Sequence, residues 1–91
     1  MKLKCKTVSH LLQLYHFDFL GQQGFLVPGE QPFSPGKRID LHISVGDEFV
    51  GSARTTMIWQ NLTHKSPELL PRGTFLKLLE GDRNLLQLLN P

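Results

Sequence analysis

The stretch "RIDLHISVGDEFVGSARTTMIW", residues 38–59, carries the clearest folding pattern in the chain. Apolar and polar residues alternate over 38–45, so one side of a predicted strand is formed by Ile39, Leu41, Ile43 and Val45. Gly46 to Glu48 is typical of a turn, and 49–59 is rich in β-branched and aromatic residues. These features predict a β-hairpin, in which Gly51 marks a bulge or a close approach of the backbone.

The rest of the chain contains shorter patterns of the same kind. Residues 2–8 alternate between lysine and apolar side chains, which predicts an edge strand that its lysines protect from pairing. Residues 74–81 are predicted as a strand. Residues 9–20 fit both a helix and a strand, and the leucines of 82–90 fit a helix slightly better than a strand. The density of Gly and Pro over 21–37 predicts a loop.

Short strands separated by turns predict an all-β fold for the whole chain. We expect a single domain over 1–91, a small antiparallel β-barrel of five to six short strands. Its predicted core consists of Leu3, Cys5, Ile39, Leu41, Ile43, Val45, Phe49, Met57, Leu76 and Leu78.

Composition limits the function classes that remain open. A net charge of +2 is too small to indicate nucleic-acid binding by itself. The single cysteine excludes an intrachain disulfide and suits a reducing compartment, so we expect a cytoplasmic protein. No apolar run approaches the ~20 residues of a membrane-spanning helix, so no membrane partner is expected.

Motifs for catalysis are weak. The sequence has no paired carboxylates, Ser-His-Asp elbow or phosphate-binding loop, and His10, His16, His42 and His64 lack the spacing of a metal site. Cys5 alternates with lysines, so its thiol is predicted to face the core. We therefore expect no enzyme, cofactor or metal, and a hydrolase or metal enzyme that uses His42 and Cys5 is the least favoured hypothesis.

One segment resembles a known family. Gly73, Leu76, Leu78, Glu80, Gly81 and Arg83 follow the pattern of a glycine turn, a strand ending in Glu-Gly and a following arginine. This segment, 73–83, resembles the last hairpin of the third, C-terminal β-barrel domain of elongation factor Tu-like proteins. The resemblance implies a stand-alone barrel without nucleotide hydrolysis. Residues 85–88 replace the family's Val-Gly-x-Gly with three leucines and a glutamine. The resemblance therefore implies the fold of this family for the chain but not its function.

Two binding hypotheses follow. The first is a non-catalytic interaction module that binds a protein partner or forms a homodimer, with an apolar interaction patch formed by Leu85, Leu86, Leu88 and Leu89. The alternative is a translation-associated or RNA-binding barrel that contacts phosphates through Lys2, Lys4, Lys6, Lys37, Arg38 and Arg54. Strict alternation along 49–59 predicts that Arg54 faces away from Phe49 and Trp59, which weakens this alternative.

Overall fold

The chain forms a mainly β structure with two short helices. A computed structural model describes residues 1–19, 21–29, 31–32, 34–61 and 73–90. In chain order the elements are β1 (Lys2–Cys5), α1 (Val8–Leu14), β2 (Tyr15–Phe19), β3 (Gln22–Val27), β4 (Arg38–Val45), β5 (Glu48–Asn61), β6 (Gly73–Gly81) and α2 (Arg83–Leu89). His64 and the rest of 62–72 lie outside the described residues.

The strands form one six-stranded sheet in the order β1-β4-β5-β6-β3-β2, which curls into a half-barrel. The predicted predominance of β structure and the number of strands are confirmed, but the predicted all-β barrel is not, because the sheet is only a half-barrel and two helices accompany it. The predicted wholly antiparallel arrangement is wrong, because β1 runs parallel to β4. A parallel neighbour requires a crossover connection, and α1, β2 and β3 lie between these two strands in the chain. The sheet is therefore mixed, and both helices pack side chains into its core.

The predicted hairpin is the centre of the sheet. Strands β4 and β5 pair antiparallel, and Ile39, Leu41 and Ile43 are buried as the alternation predicts. Predicted core residues confirmed as buried elsewhere are Leu3, Cys5, Met57 and Leu76. Val45 and Leu78 are partly buried against this core.

Phe49 is the predicted core residue that the structure places outside. Ile43 lies opposite Gly51 and Ser44 lies opposite Phe49, so Val50 is an extra residue in β5. This β-bulge reverses the alternation before Gly51. As a result Val50 packs against the core, whereas 59% of Phe49 is exposed.

The ambiguous segment 9–20 contains both predicted elements in succession. Helix α1 begins after Thr7, whose hydroxyl accepts a hydrogen bond of 3.1 Å from the His10 backbone N–H. Strand β2 follows α1 at once. On the core side, Leu11 of α1 and Tyr15 of β2 are buried.

The loop predicted for 21–37 is wrong over its first third, because β3 occupies Gln22–Val27. Strand β3 lies between β2 and β6 and pairs with both, so its backbone groups are satisfied on two sides. A Cβ on Gly24 would clash with the carbonyl oxygen of Leu76. Gly24 therefore allows the backbones of β3 and β6 to approach closely, although it lies in a Gly- and Pro-rich segment that is typical of a loop.

The C-terminal segment is helical, as its leucine spacing predicts. Helix α2 packs against β5, with Leu85 fully buried and Leu89 5% exposed. A Cβ on Gly51 would lie 2.9 Å from the Leu85 Cβ, so the bulge of β5 provides the space for α2.

We predict that Leu85→Ala destabilises the protein by about 2–5 kcal/mol, because truncation of a fully buried leucine loses apolar contacts and leaves a cavity. Leu12→Ala is the matched control on α1, where the side chain is 40% exposed, and its expected cost is under about 1 kcal/mol. Urea unfolding followed by circular dichroism measures both. Similar costs for the two variants would contradict the burial of Leu85.

Candidate functional site

One face of the sheet gathers most of the predicted cations. We call it the outer face; it carries the side chains of β1, β4 and β5 that alternate with buried residues: Lys2, Lys4, Arg38, Asp40, His42, Ser44, Ser52, Arg54 and Thr56. Lys2 and Lys4 lie beside His42 and Ser44 in the parallel pairing. Lys6 and Lys37 are exposed just outside the strands.

Arg54 lies on the outer face but has acidic partners there. Its Nε donates to Glu80 Oε2 at 3.0 Å, and its Nη2 lies 3.9 Å from Asp82 Oδ1. All three side chains are at least 43% exposed, so each pair contributes little to stability. The positive charge of Arg54 is nevertheless offset locally, which leaves Lys2 and Lys4 as the cations of the β1 side.

The bulge also brings Phe49 to the outer face. The centroid of its ring lies 6.4 Å from that of His42. The predicted separation of Phe49 from Arg54 is therefore wrong, because strict alternation does not hold across the extra residue Val50. The outer face combines an exposed aromatic ring with cations, a combination that the sequence pattern did not predict.

His42 and Cys5 lie on opposite sides of the sheet. His42 is on the exposed face, where its Nδ1 lies 3.1 Å from Ser52 Oγ. Cys5 is 2% exposed and faces the core, and this burial raises the pKa of its thiol. A raised pKa lowers the thiolate fraction, and the thiolate is the nucleophile of cysteine chemistry. In the described ranges, no cluster of three or more His, Cys, Asp or Glu side chains is suited to hold a metal ion.

The four C-terminal leucines do not form one exposed patch. Leu85 and Leu89 belong to the core, whereas Leu86 and Leu88 are half-buried. The predicted interaction patch is therefore incorrect for Leu85 and Leu89, because the i, i+4 spacing places both on the face of α2 that packs against the sheet.

A second candidate surface lies at the β2 edge of the sheet. In the strand order β2 is a terminal strand, paired with β3. Phe17, its middle residue, is 76% exposed, the highest value among the large hydrophobic side chains of the described residues. The alternation of aromatic and polar residues over 15–19 is the sequence feature that indicates this strand, although a helical spacing overlaps it over 9–20.

An aromatic cluster lies next to this edge. The Phe19 ring lies 5.8 Å from Trp59 and 5.6 Å from Phe75, and Trp59 stacks on Phe75 at 5.5 Å with an interplanar angle of 11°. The cluster joins β2 to β5 and β6. Aromatic pairs of this kind contribute about 0.5–1.5 kcal/mol beyond the burial of their surface, so the cluster helps to hold the end of β2 on the sheet.

No protein-family model matches the sequence, and no curated protein matches it with significant similarity. The resemblance of 73–83 to elongation factor Tu-like proteins stays a prediction. Within the described residues, no helix is long and apolar enough to cross a membrane.

We predict that the Cys5 thiol of the native protein reacts slowly with an aromatic disulfide reagent at neutral pH. Burial shields the sulfur and raises its pKa, so we expect a rate on the order of tenfold or more below that of the chain in urea. The native rate should rise only at a pH above the ordinary range for a thiol. Equal rates in buffer and urea would contradict this prediction.

Proposed function

We propose that this chain is a non-catalytic protein-interaction module that forms a homodimer through the edge strand β2. The observation that carries this proposal is the exposure of Phe17, 76%, in the middle of a terminal strand. A terminal strand offers backbone N–H and C=O groups for pairing with another chain. An exposed phenylalanine adds the kind of aromatic anchor that is common in protein interfaces.

The sequence of β2, Tyr-His-Phe-Asp-Phe, is complementary to itself in an antiparallel arrangement. The pairing of β2 with β3 has a register shift between His16 and Phe19, so Phe17 and Asp18 lie at an irregularity of the strand. If this segment straightens when two copies of β2 pair antiparallel about Phe17, each Phe17 lies opposite its own copy. His16 then lies opposite Asp18 of the second copy, and Tyr15 opposite Phe19. Aromatic pairs and pairs of complementary polar groups both stabilise antiparallel strands. A two-fold dimer uses the same patch on both subunits, as this register requires.

The opposite edge of the sheet lacks these properties. Strand β1 carries Lys2 and Lys4, and the ammonium group of Met1 binds the Asp40 carbonyl oxygen at 2.8 Å beside it. Two copies of β1 would bring like charges together, which disfavours pairing. The contrast between the edges supports β2 as the dimerisation edge.

Phe17→Ser tests the anchor. We expect the dimer dissociation constant to rise by at least about 30-fold, because truncation of a central aromatic residue in an interface costs ~2 kcal/mol or more. Phe49→Ser is the matched control, since this phenylalanine is also exposed but belongs to the internal strand β5, which two strands separate from β2. Analytical ultracentrifugation over a range of micromolar concentrations measures the constants. A wild-type chain that is monomeric throughout, or equal effects of both variants, would overturn the proposal.

Substitutions at His16 test the register. His16→Asp places two carboxylates opposite each other at both ends of the pairing, so we expect weaker association. His16→Lys places an ammonium opposite Asp18, so we expect association as strong as or stronger than in the wild type. Each cross-strand pair contributes about 0.2–1 kcal/mol, so the two variants should differ by several-fold in dissociation constant. Equal constants for the two variants would contradict the centring on Phe17.

A further inference from the structure

The outer face contains a group of residues that the proposed dimer does not use. We call Lys2, Lys4, His42 and Phe49 the lysine–aromatic patch. We infer that this patch is a binding site for single-stranded RNA, with phosphates on the lysines and an unpaired base on the Phe49 ring.

The strand register arranges the patch in two rows across the sheet. Lys4, Ser44 and Phe49 form one row, since Lys4 pairs with Ser44 and Ser44 with Phe49. Lys2, His42 and Ser52 form the next row. Neighbouring strands lie about 4.8 Å apart, so Phe49 is roughly 10 Å from Lys4 across the sheet. The lysines thus form a line along β1, with the aromatic ring set to one side.

This arrangement matches the chemistry of single-stranded nucleic acid. Proteins that bind single strands combine cations that follow the phosphate backbone with aromatic rings on which bases stack. Phe49 is 59% exposed, and its ring is tilted by 39° to that of His42. The two rings are therefore not stacked face to face, and Phe49 presents ring surface to solvent. A paired base inside a duplex does not offer its face to such a ring, so an unpaired strand is the ligand.

The charge distribution favours the β1 side of the outer face as the anion site. Arg54 offsets one of the two negative charges of Glu80 and Asp82, and Asp40 is a further exposed carboxylate of the outer face, opposite Arg54 and away from Lys4 and Phe49. Glu48 pairs with Val45, whose side chain packs on the core, so it does not share the outward orientation of Phe49. Lys2 and Lys4 are exposed, with no ion pair at either among the described residues.

Ser44 gives a reason to expect RNA rather than DNA. It lies between Lys4 and Phe49 in the same row, where the sugar of a bound nucleotide would lie between its phosphate and its base. A serine hydroxyl donates to and accepts from a 2′-hydroxyl, a group that DNA lacks. The patch lies at the β1 side of the sheet, whereas the dimer edge is β2, so RNA binding and dimerisation are independent of each other.

Fluorescence anisotropy with a labelled single-stranded oligouridylate at low salt tests the proposal in the full chain. Phe49→Ala should weaken binding by about 5- to 150-fold, the range found for loss of one stacked base. It should leave the salt dependence unchanged, because a stacking contact releases no counterions. The double variant Lys2→Gln, Lys4→Gln should instead lower the slope of log K against log salt by about 1.4, since each phosphate contact contributes about 0.7.

Two controls separate this site from general attraction to positive charge. Lys37→Gln removes an exposed cation outside the patch, and Phe17→Ser removes an exposed ring at the dimer edge; both should change affinity by less than about twofold, because neither side chain contacts the site. Urea unfolding midpoints verify that all variants are folded. Three results would overturn the proposal. The first is no binding at low salt, and the second is a loss of affinity with Lys37→Gln equal to that of the double lysine variant. The third is binding of a single-stranded oligodeoxyuridylate or a duplex RNA that is as tight as or tighter than binding of the oligouridylate.

Discussion

The close contact between Gly51 and Leu85 determines where helix α2 packs on the sheet. Helix α2 can pack on β5 only where no side chain stands in the way, since a Cβ at Gly51 would lie 2.9 Å from the Leu85 Cβ. The same contact buries Leu85 and Leu89 and closes the core on one side. A half-barrel of six strands would otherwise leave this apolar interior open to water, at a free-energy cost proportional to the exposed area.

The bulge beside Gly51 links this packing to the outer face. Asp82, the residue before α2, accepts a hydrogen bond from the Ser52 N–H at 2.8 Å and donates its own N–H to the Ser52 carbonyl at 2.9 Å. These bonds fix the start of α2 to the strand just after the bulge. The extra residue Val50 turns inward, and Phe49 is turned outward as a consequence. The same bulge therefore accounts for two features: Val50 packs against the core, and Phe49 is exposed on the outer face.

The two edges of the sheet have opposite chemical character. Strand β1 is short and carries lysines, which are typical of an edge protected against pairing. Strand β2 carries aromatic residues, and its Phe19 packs against the stacked rings of Trp59 and Phe75. An open sheet has two terminal strands, and in this molecule they differ: β1 presents lysine side chains, whereas β2 presents an exposed phenylalanine.

Some elements of this fold follow from local sequence pattern. Alternation identified β4 and most of its buried residues, and leucine spacing indicated α2, because each of these periodicities belongs to one element alone. Tertiary structure decided the rest. Strand β3 has β2 and β6 to satisfy its backbone on both sides, and the parallel position of β1 depends on the path of the chain. The outward position of Phe49 depends on the bulge in β5, beside which α2 packs more than thirty residues later in the sequence. Contacts between distant residues leave no period in the sequence, so pattern alone does not reveal them.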